Sequence, residues 1–344
     1  MRPVPVALFA LVAVSPLALL ALGIAYGGLW PVFALAYMAG ATVALDLLLP
    51  LTAAPTDDTE FPAADGLLVV LGLSALTALP LLTWAVAGSS NLGPLARTTL
   101  FLAGGLWFGQ VAHPAAHELI HRPRPLFSLG IAVYTALLFG HHASAHRLVH
   151  HPFVASADDP NTARANEPFY RFLTRAWAQS FRKGWRAETA LRTRAAQTGL
   201  HPYVLYIGGA VLALTLAAII AGPTGLLTWT ALGLFASVQI LLSDYVQHYG
   251  LTRTLQRNGK PSPVTAAHSW NSPHWFSSAL MLNAPRHSDH HTHPLRPYPA
   301  LRLPDYAPIL PWPLPIACAV ALIPPLWRRR MQPELARRAA LSKA

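Results

Sequence analysis

Nine of the 16 histidines in this chain fall into four groups: the pair His117 and His121, the trio His146, His150 and His151, the trio His287, His290 and His291, and the lone His248. On a helix, residues three or four apart lie on one face, so each of the three clusters can aim two or three imidazoles at a common point. Neutral imidazole suits zinc, copper, iron and nickel, and a zinc site takes only three or four protein ligands. Nine histidines therefore point to more than one ion. Ordinary surface histidines would not keep the same tight spacing three times over in a chain otherwise apolar and poor in charge.

The first cluster, His117-Glu118-Leu119-Ile120-His121, is by itself the HExxH pattern of zinc metalloproteases, in which the histidines hold zinc and the glutamate is the base. An intramembrane zinc metalloprotease is the alternative from a different class, but it leaves the other six clustered histidines unemployed. A haem-binding or transport protein would use fewer histidines, usually within its membrane spans.

The elements that must position these rings are apolar. Of 344 residues, 53% are hydrophobic and 11% charged, against roughly 25% charged in a typical soluble domain. Crossing the hydrocarbon core as a helix takes about twenty apolar residues. Six stretches qualify, over residues 5–26, 29–51, 66–88, 97–118, 203–222 and 226–247. The expected fold is all-α: a six-helix transmembrane bundle with a cytoplasmic helical histidine-rich cap, residues 1–344 forming a single domain with histidine regions at 117–151 and 248–294. Residues 126–139 are too short to cross and suit a re-entrant or interfacial helix. The proline-rich run 309–327 reads as interfacial, with a seventh span as the alternative. A basic stretch over 169–197, with Trp177, Phe181 and Trp185 at four-residue spacing, suits a helix on the bilayer surface. Asp46, costly in lipid, is expected to face the bundle interior.

Charge sets the orientation. The formal net charge is +11, and no nucleic-acid module is visible to explain it. Of the 25 Lys and Arg, Arg2 and Arg97 alone precede the first histidine cluster. The rest concentrate in the histidine-bearing loops, and positive residues collect on the cytoplasmic side of bacterial-type membranes. A multi-pass protein of the inner (plasma) membrane with its metal site facing the cytoplasm follows. The acidic piece Asp57-Asp58-Thr59-Glu60 carries no weight against this, because the rule counts Lys and Arg. In that map the fourth and sixth helices both run inward, delivering His117 with His121 and His248 from the same side.

Four motifs carry a closer resemblance: HELIHR at His117 to Arg122, DYVQHYGL at Asp244 to Leu251, HSWNS at His268 to Ser272, and RHSDHH at Arg286 to His291 followed by Pro294. With the second histidine box they resemble the membrane-bound non-haem diiron family of fatty acid desaturases and alkane hydroxylases, and within it the alkane 1-monooxygenases. The second box departs from the pattern, reading Ala145-His146-Arg147-Leu148-Val149-His150-His151, without the family's acidic residue and glycine. Gln247 stands where the family has glutamate, and Asp244 where it has asparagine.

The resemblance implies that His117, His121, His146, His150, His151, His248, His287, His290 and His291 hold two iron ions. Glu118 and Asp289, inside the ligand clusters, would accept hydrogen bonds from ligand ring N–H groups. It implies O₂-dependent terminal hydroxylation of alkanes to primary alcohols, with helices two, four and six enclosing a channel from lipid to iron. A fatty acyl or lipid desaturase or hydroxylase, and a methyl-group hydroxylase of aromatic or terpenoid substrates, are the alternatives within the superfamily. Implied partners are a hydrophobic small-molecule substrate, the lipid bilayer, and a separate rubredoxin or ferredoxin-type electron carrier with its reductase. The carrier must be separate because Cys318 is the one cysteine in the 344 residues, too few for a four-cysteine iron site.

Overall fold

The computed structural model describes residues 6–49, 61–88 and 90–341. Arg2 and the acidic piece 57–60 lie outside them. The described residues form helices joined by loops, with two isolated β-bridges and no named strand.

Among the described residues, four helices are long and apolar enough to cross a membrane: Val6–Tyr26 (α1), Trp30–Leu48 (α2), Ala64–Ala87 (α3) and Pro202–Gln247. The fourth expected span lies in helix over residues 94–119 (α4), interrupted by a π-helical turn at Phe108–Ala112. The chain reverses between α1 and α2 at Gly27 and Gly28, both with φ of +61°, a conformation glycine reaches without steric cost.

Pro202–Gln247 is two helices rather than one rod. Ala221 and Gly222 leave the helical region, with Gly222 at φ 58° and ψ −143°. A Cβ built on Gly225 would lie 2.1 Å from the carbonyl oxygen of Ala217, whereas eight residues of straight helix span about 12 Å. The chain therefore turns back on itself, giving two arms, 202–220 and 223–247, where the sequence predicts 203–222 and 226–247. The first arm presents Val204, Leu205, Ile207, Val211, Leu212, Leu216 and Ile219 outward, each 41–76% exposed. Such a continuous apolar stripe is a lipid-facing surface rather than a water-facing one.

Small residues let the inner helices approach. Cβ atoms built on Gly105 and Gly109 of α4 would meet the second arm at Phe235 (2.2 Å) and Gln239 (2.3 Å), and one on Gly104 would meet Leu82 of α3 (2.7 Å). Close helix contact through glycine is the usual way spans associate where lipid offers no hydrophobic driving force. Trp107, fully buried, ties α4 to α1 by donating its indole N–H to the Ala13 carbonyl (3.1 Å). Asp46 faces the interior, as its cost in lipid predicts: it is 3% exposed and accepts the backbone N–H of Ser277 (2.9 Å).

The remaining elements are Leu126–Ala136 (α5), a helical run over 142–153 (α6), Phe169–Arg194 (α7), and, beyond the hairpin arms (α8 and α9), Trp275–Leu280 (α10), His287–Thr292 (α11), Leu314–Ala321 (α12) and Pro324–Leu341 (α13). The aromatic face of α7 packs in part on the protein itself. Trp177 meets Phe139, Phe181 meets Tyr203, and Trp185 stacks on His201, with ring centroids 4.5–5.2 Å apart. Four-residue spacing marked an apolar face, which Phe139 and the start of α8 cover in part, while Phe181 and Trp185 remain 37% and 41% exposed. His201 also caps that helix by accepting the Tyr203 N–H.

The glycine contacts give a direct test. Gly109→Val would force the second arm away or the Gln239 side chain off its place, an overpacking that costs about 1–3 kcal/mol. It should lower the unfolding temperature of the protein in detergent by several degrees. Gly66→Ala, where a Cβ meets nothing within 4 Å, should leave that temperature unchanged or raise it slightly.

Candidate metal centre

The histidine clusters converge, but not as three units. Their ring nitrogens assemble into two groups: His117, His121, His146, His151 and His290 in one, and His150, His248, His287 and His291 in the other, with the donor atoms of each group within 4.8 Å of one another. The second and third clusters are each divided between the groups, which corrects the expectation that each cluster serves one point.

The division of the second cluster has a local cause. Residues His146–His150 form a π-helical turn, closed by the His151 N–H to the His146 carbonyl. Five residues per hydrogen-bonded ring bring i and i+5 onto one face, so His146 and His151 meet, Nε2 to Nε2 at 2.9 Å, while His150 turns to the other group. In α11, His287 and His291 are one turn apart and share a group, while His290 swings towards α4.

The nitrogen separations fit metal ligation better than hydrogen bonding. His146 Nε2 lies 2.8 Å from His117 Nε2 and 2.9 Å from His151 Nε2, and His287 Nε2 lies 2.9 Å from His248 Nε2 and 3.1 Å from His291 Nε2. A ring nitrogen carries one in-plane lone pair or one hydrogen, so it cannot serve two such neighbours as hydrogen bonds. Two imidazoles on one ion, each bonded at about 2.1 Å, place their nitrogens about 3 Å apart. An all-imidazole donor set of this kind suits iron, zinc, copper or nickel and disfavours calcium or magnesium.

Electrostatics hold the rings neutral, as ligation requires. Burial, reinforced by neighbouring histidines, pushes His146, His151, His287, His290 and His291 well below the ordinary imidazole range, and burial with the cations Arg147 and Arg122 brings His121 down to about 3. His150 is the exception. Burial lowers it, but Asp159 outweighs that and raises it. Its Nδ1 sits 2.9 Å from Asp159 Oδ2, both side chains almost fully buried. A proton held on Nδ1 by the carboxylate leaves Nε2 bare, and that atom has no hydrogen-bond partner among the described residues. Asp159 is itself fixed by the Thr162 hydroxyl (2.7 Å) and the Asn161 N–H (3.0 Å).

Asp159 is the functional candidate that sequence reasoning missed. The available signal was an acid in a basic, apolar segment, eight residues past His151, where burial without a cationic or imidazole partner would be costly. Conversely, Asp289 does not take the role assigned to it. Its carboxylate accepts from Arg296, His293 (2.9 Å) and the Arg302 N–H (2.8 Å), and no ring nitrogen of the nine is among those partners. The reason is angular: two residues along a helix from His287 is about 200° around the axis, away from the centre. Glu118 sits beside the first group, its Oε1 3.9 Å from His117 Nδ1 and 4.0 Å from His290 Nδ1, too long for hydrogen bonds, while Oε2 pairs with Arg122 at 3.3 Å. The HSWNS motif braces α11: Asn271 accepts the Ser288 N–H (2.9 Å) and donates to the Ser288 hydroxyl (2.7 Å). His113, His141, His142, His268, His274 and His293 fall outside both groups.

A cavity of about 300 Å³ ends at this centre, reaching His117, His142, His146 and His287. Leu106, Phe235, Val238, Leu242, Leu314 and Leu322 make its walls predominantly apolar. They come from α4, α9 and α12. The expected enclosure by helices two, four and six is corrected in one member: the short α12 takes the place of α2, which packs against α1 and α4 instead.

Apolar helices enclosing a cavity that ends in two histidine-nitrogen groups define a membrane-type protein with histidine clusters able to hold metal. The chain belongs to the fatty acid desaturase family, whose model matches residues 92–315. It is 30% identical to an alkane 1-monooxygenase of Alcanivorax borkumensis over 72% of this chain and 66% of that protein. It is 31% identical to one from Pseudomonas aeruginosa, over 82% of this chain and 76% of that protein. A xylene/toluene monooxygenase hydroxylase component of Pseudomonas putida is 29% identical over 62% of this chain and 58% of that protein.

Metal analysis of purified variants tests the grouping. His150→Ala should lower bound metal by up to one ion per chain. Asp159→Asn should keep the fold and weaken metal binding by about 10–100-fold, as loss of a ligand-orienting carboxylate does. His113→Leu, outside both groups, should retain full metal, and metal loss there equal to that of His150→Ala would contradict the grouping.

Proposed function

We propose that this protein is a membrane-bound non-haem diiron monooxygenase that hydroxylates the terminal methyl group of alkanes to primary alcohols, using O₂. The observation that carries the reading is the apolar cavity ending on two separate groups of buried imidazole nitrogens. The named relatives support the substrate class. His117, His121, His146, His151 and His290 would hold one iron, and His150, His248, His287 and His291 the other. Two irons, when bound there, supply the activation of O₂ that attack on an unactivated C–H bond requires.

The chain's own residues do the rest. The leucine and phenylalanine walls exclude water and align an extended hydrocarbon, so that its methyl end is presented at His117, His146 and His287. Asp159 holds the Nδ1 proton of His150, fixing which nitrogen faces the metal. The same geometry would serve a methyl group on an aromatic ring, a reading favoured by the xylene/toluene relative. The proposed setting is a six-span bundle in a bacterial-type inner membrane, with the histidine centre on the cytoplasmic side. Electrons would come from a separate rubredoxin or ferredoxin-type carrier and its reductase, docking on the basic cytoplasmic loops.

Membranes containing the protein, given a reducing system and a pool of alkanes, fatty acids and alkylbenzenes, decide between these readings by product analysis. The primary alcohol of an alkane is expected as the main product. An unsaturated fatty acid or a benzylic alcohol as the main product would move the assignment to another branch of the family.

A further inference from the structure

The cavity wall carries two amide side chains that an alkane cannot satisfy. Gln110 lies in the π-helical turn Phe108–Ala112 of α4, and Gln239 faces the same cavity from α9. Hydrogen bonds settle the orientation of Gln239: its Nε2 donates to the carbonyls of Gly105 (2.8 Å) and Phe235 (3.1 Å), which leaves Oε1 as the free end. That Oε1 is buried without a partner, and so is Oε1 of Gln110. Of the other polar groups of the lining, His142 at the histidine end has both ring nitrogens without a hydrogen-bond partner among the described residues, whereas three groups further along are engaged. Ser243 donates to Gln247, Gln247 to the Ala284 carbonyl, and Asp244 accepts from Asn161. The amide nitrogen of Gln239 ties α9 to α4, but that role uses neither oxygen, and buried amide oxygens without a donor are costly in a predominantly apolar cavity.

Their position along the cavity is defined. Gln110 precedes His117 by seven residues, roughly 10 Å along the helix, and Gln239 precedes Gln247 by eight. A chain whose methyl end lies at the histidines therefore passes the two amides several methylenes further out.

We propose that the cavity, besides admitting an alkane, is built to bind more tightly an aliphatic substrate that bears a hydroxyl group several carbons from the methyl end. The hydroxyl would donate to Gln239 Oε1, and the amide of Gln110, which makes no hydrogen bond among the described residues, would turn to complete the pair. This deepens the function proposed above and rests on its assignment of the cavity to substrate.

Cys318, the one cysteine, lines the same cavity and is partly accessible, so its alkylation reports occupancy without turnover. The full chain in lipid nanodiscs is treated with N-ethylmaleimide, and the rate is followed by intact mass. n-Octane, n-octanol and methyl octyl ether are compared at equal mole fraction in the lipid, each against the same protein's unprotected rate. n-Octanol should reach half-protection at about a fivefold lower mole fraction than n-octane, the scale of one net hydrogen bond. The ether, which has no proton to donate, should protect no better than n-octane. The advantage of n-octanol should vanish in Gln239→Leu and shrink in Gln110→Leu. Equal protection by n-octanol and n-octane, an ether as effective as the alcohol, or an advantage that survives both substitutions would overturn the inference while leaving the cavity a substrate site. Absence of protection by all three would overturn the cavity assignment as well.

Discussion

Nine imidazole rings packed into one buried volume are the constraint on which the rest of the structure turns. Buried imidazoles cannot all be protonated, because each charge would be desolvated and repelled by its neighbours. Nor can they be satisfied as hydrogen-bond partners of one another, since His146 and His287 each face two ring nitrogens with a single hydrogen-bonding position on Nε2. Cations held between the rings would resolve both problems. The helices then have to bring four separate sequence regions to one place: the end of α4, the π turn of α6, the residue after α9, and α11.

The bundle meets that demand by close approach rather than by bulk. Gly105 and Gly109 let α9 lie against α4, so that His117 reaches one group and His248 the other, and the hairpin at Ala221 and Gly222 returns the chain to that end. The same two helices leave the apolar cavity between them, closed by α12. Site and cavity are thus products of one helix–helix contact. Around the rings, Asp159 and Asn271 act locally, the first fixing His150 and the second anchoring the helix that carries His287, His290 and His291.

Much of this was legible in the sequence, because hydropathy over twenty residues and histidine spacing are strong, local signals. The expected apolar stretches coincide with helices within a few residues, and all nine histidines fall in the two groups. What was not legible depends on winding and on distant contacts. The α-helical period assigns His146, His150 and His151 to one point. The π turn overrides it, because one extra residue per turn changes which rings share a face. Asp159 is tied to His150 by tertiary packing and has no spacing rule to announce it. The same holds for α12, whose prolines suggested an interfacial segment and gave no hint that Leu314 and Cys318 line the cavity. Asp289 shows the converse error, since membership of a histidine cluster did not decide which way its side chain points.

The central claim is that the nine histidines form two imidazole-only sites of five and four ligands. X-ray absorption at the iron edge of the purified, iron-loaded protein, combined with metal quantitation, tests it most directly. The account predicts two irons per chain with a nitrogen-dominated inner shell at about 2.1 Å, showing the outer scattering of imidazole rings. One ion per chain, or an inner shell dominated by carboxylate oxygen or by sulfur, would contradict it.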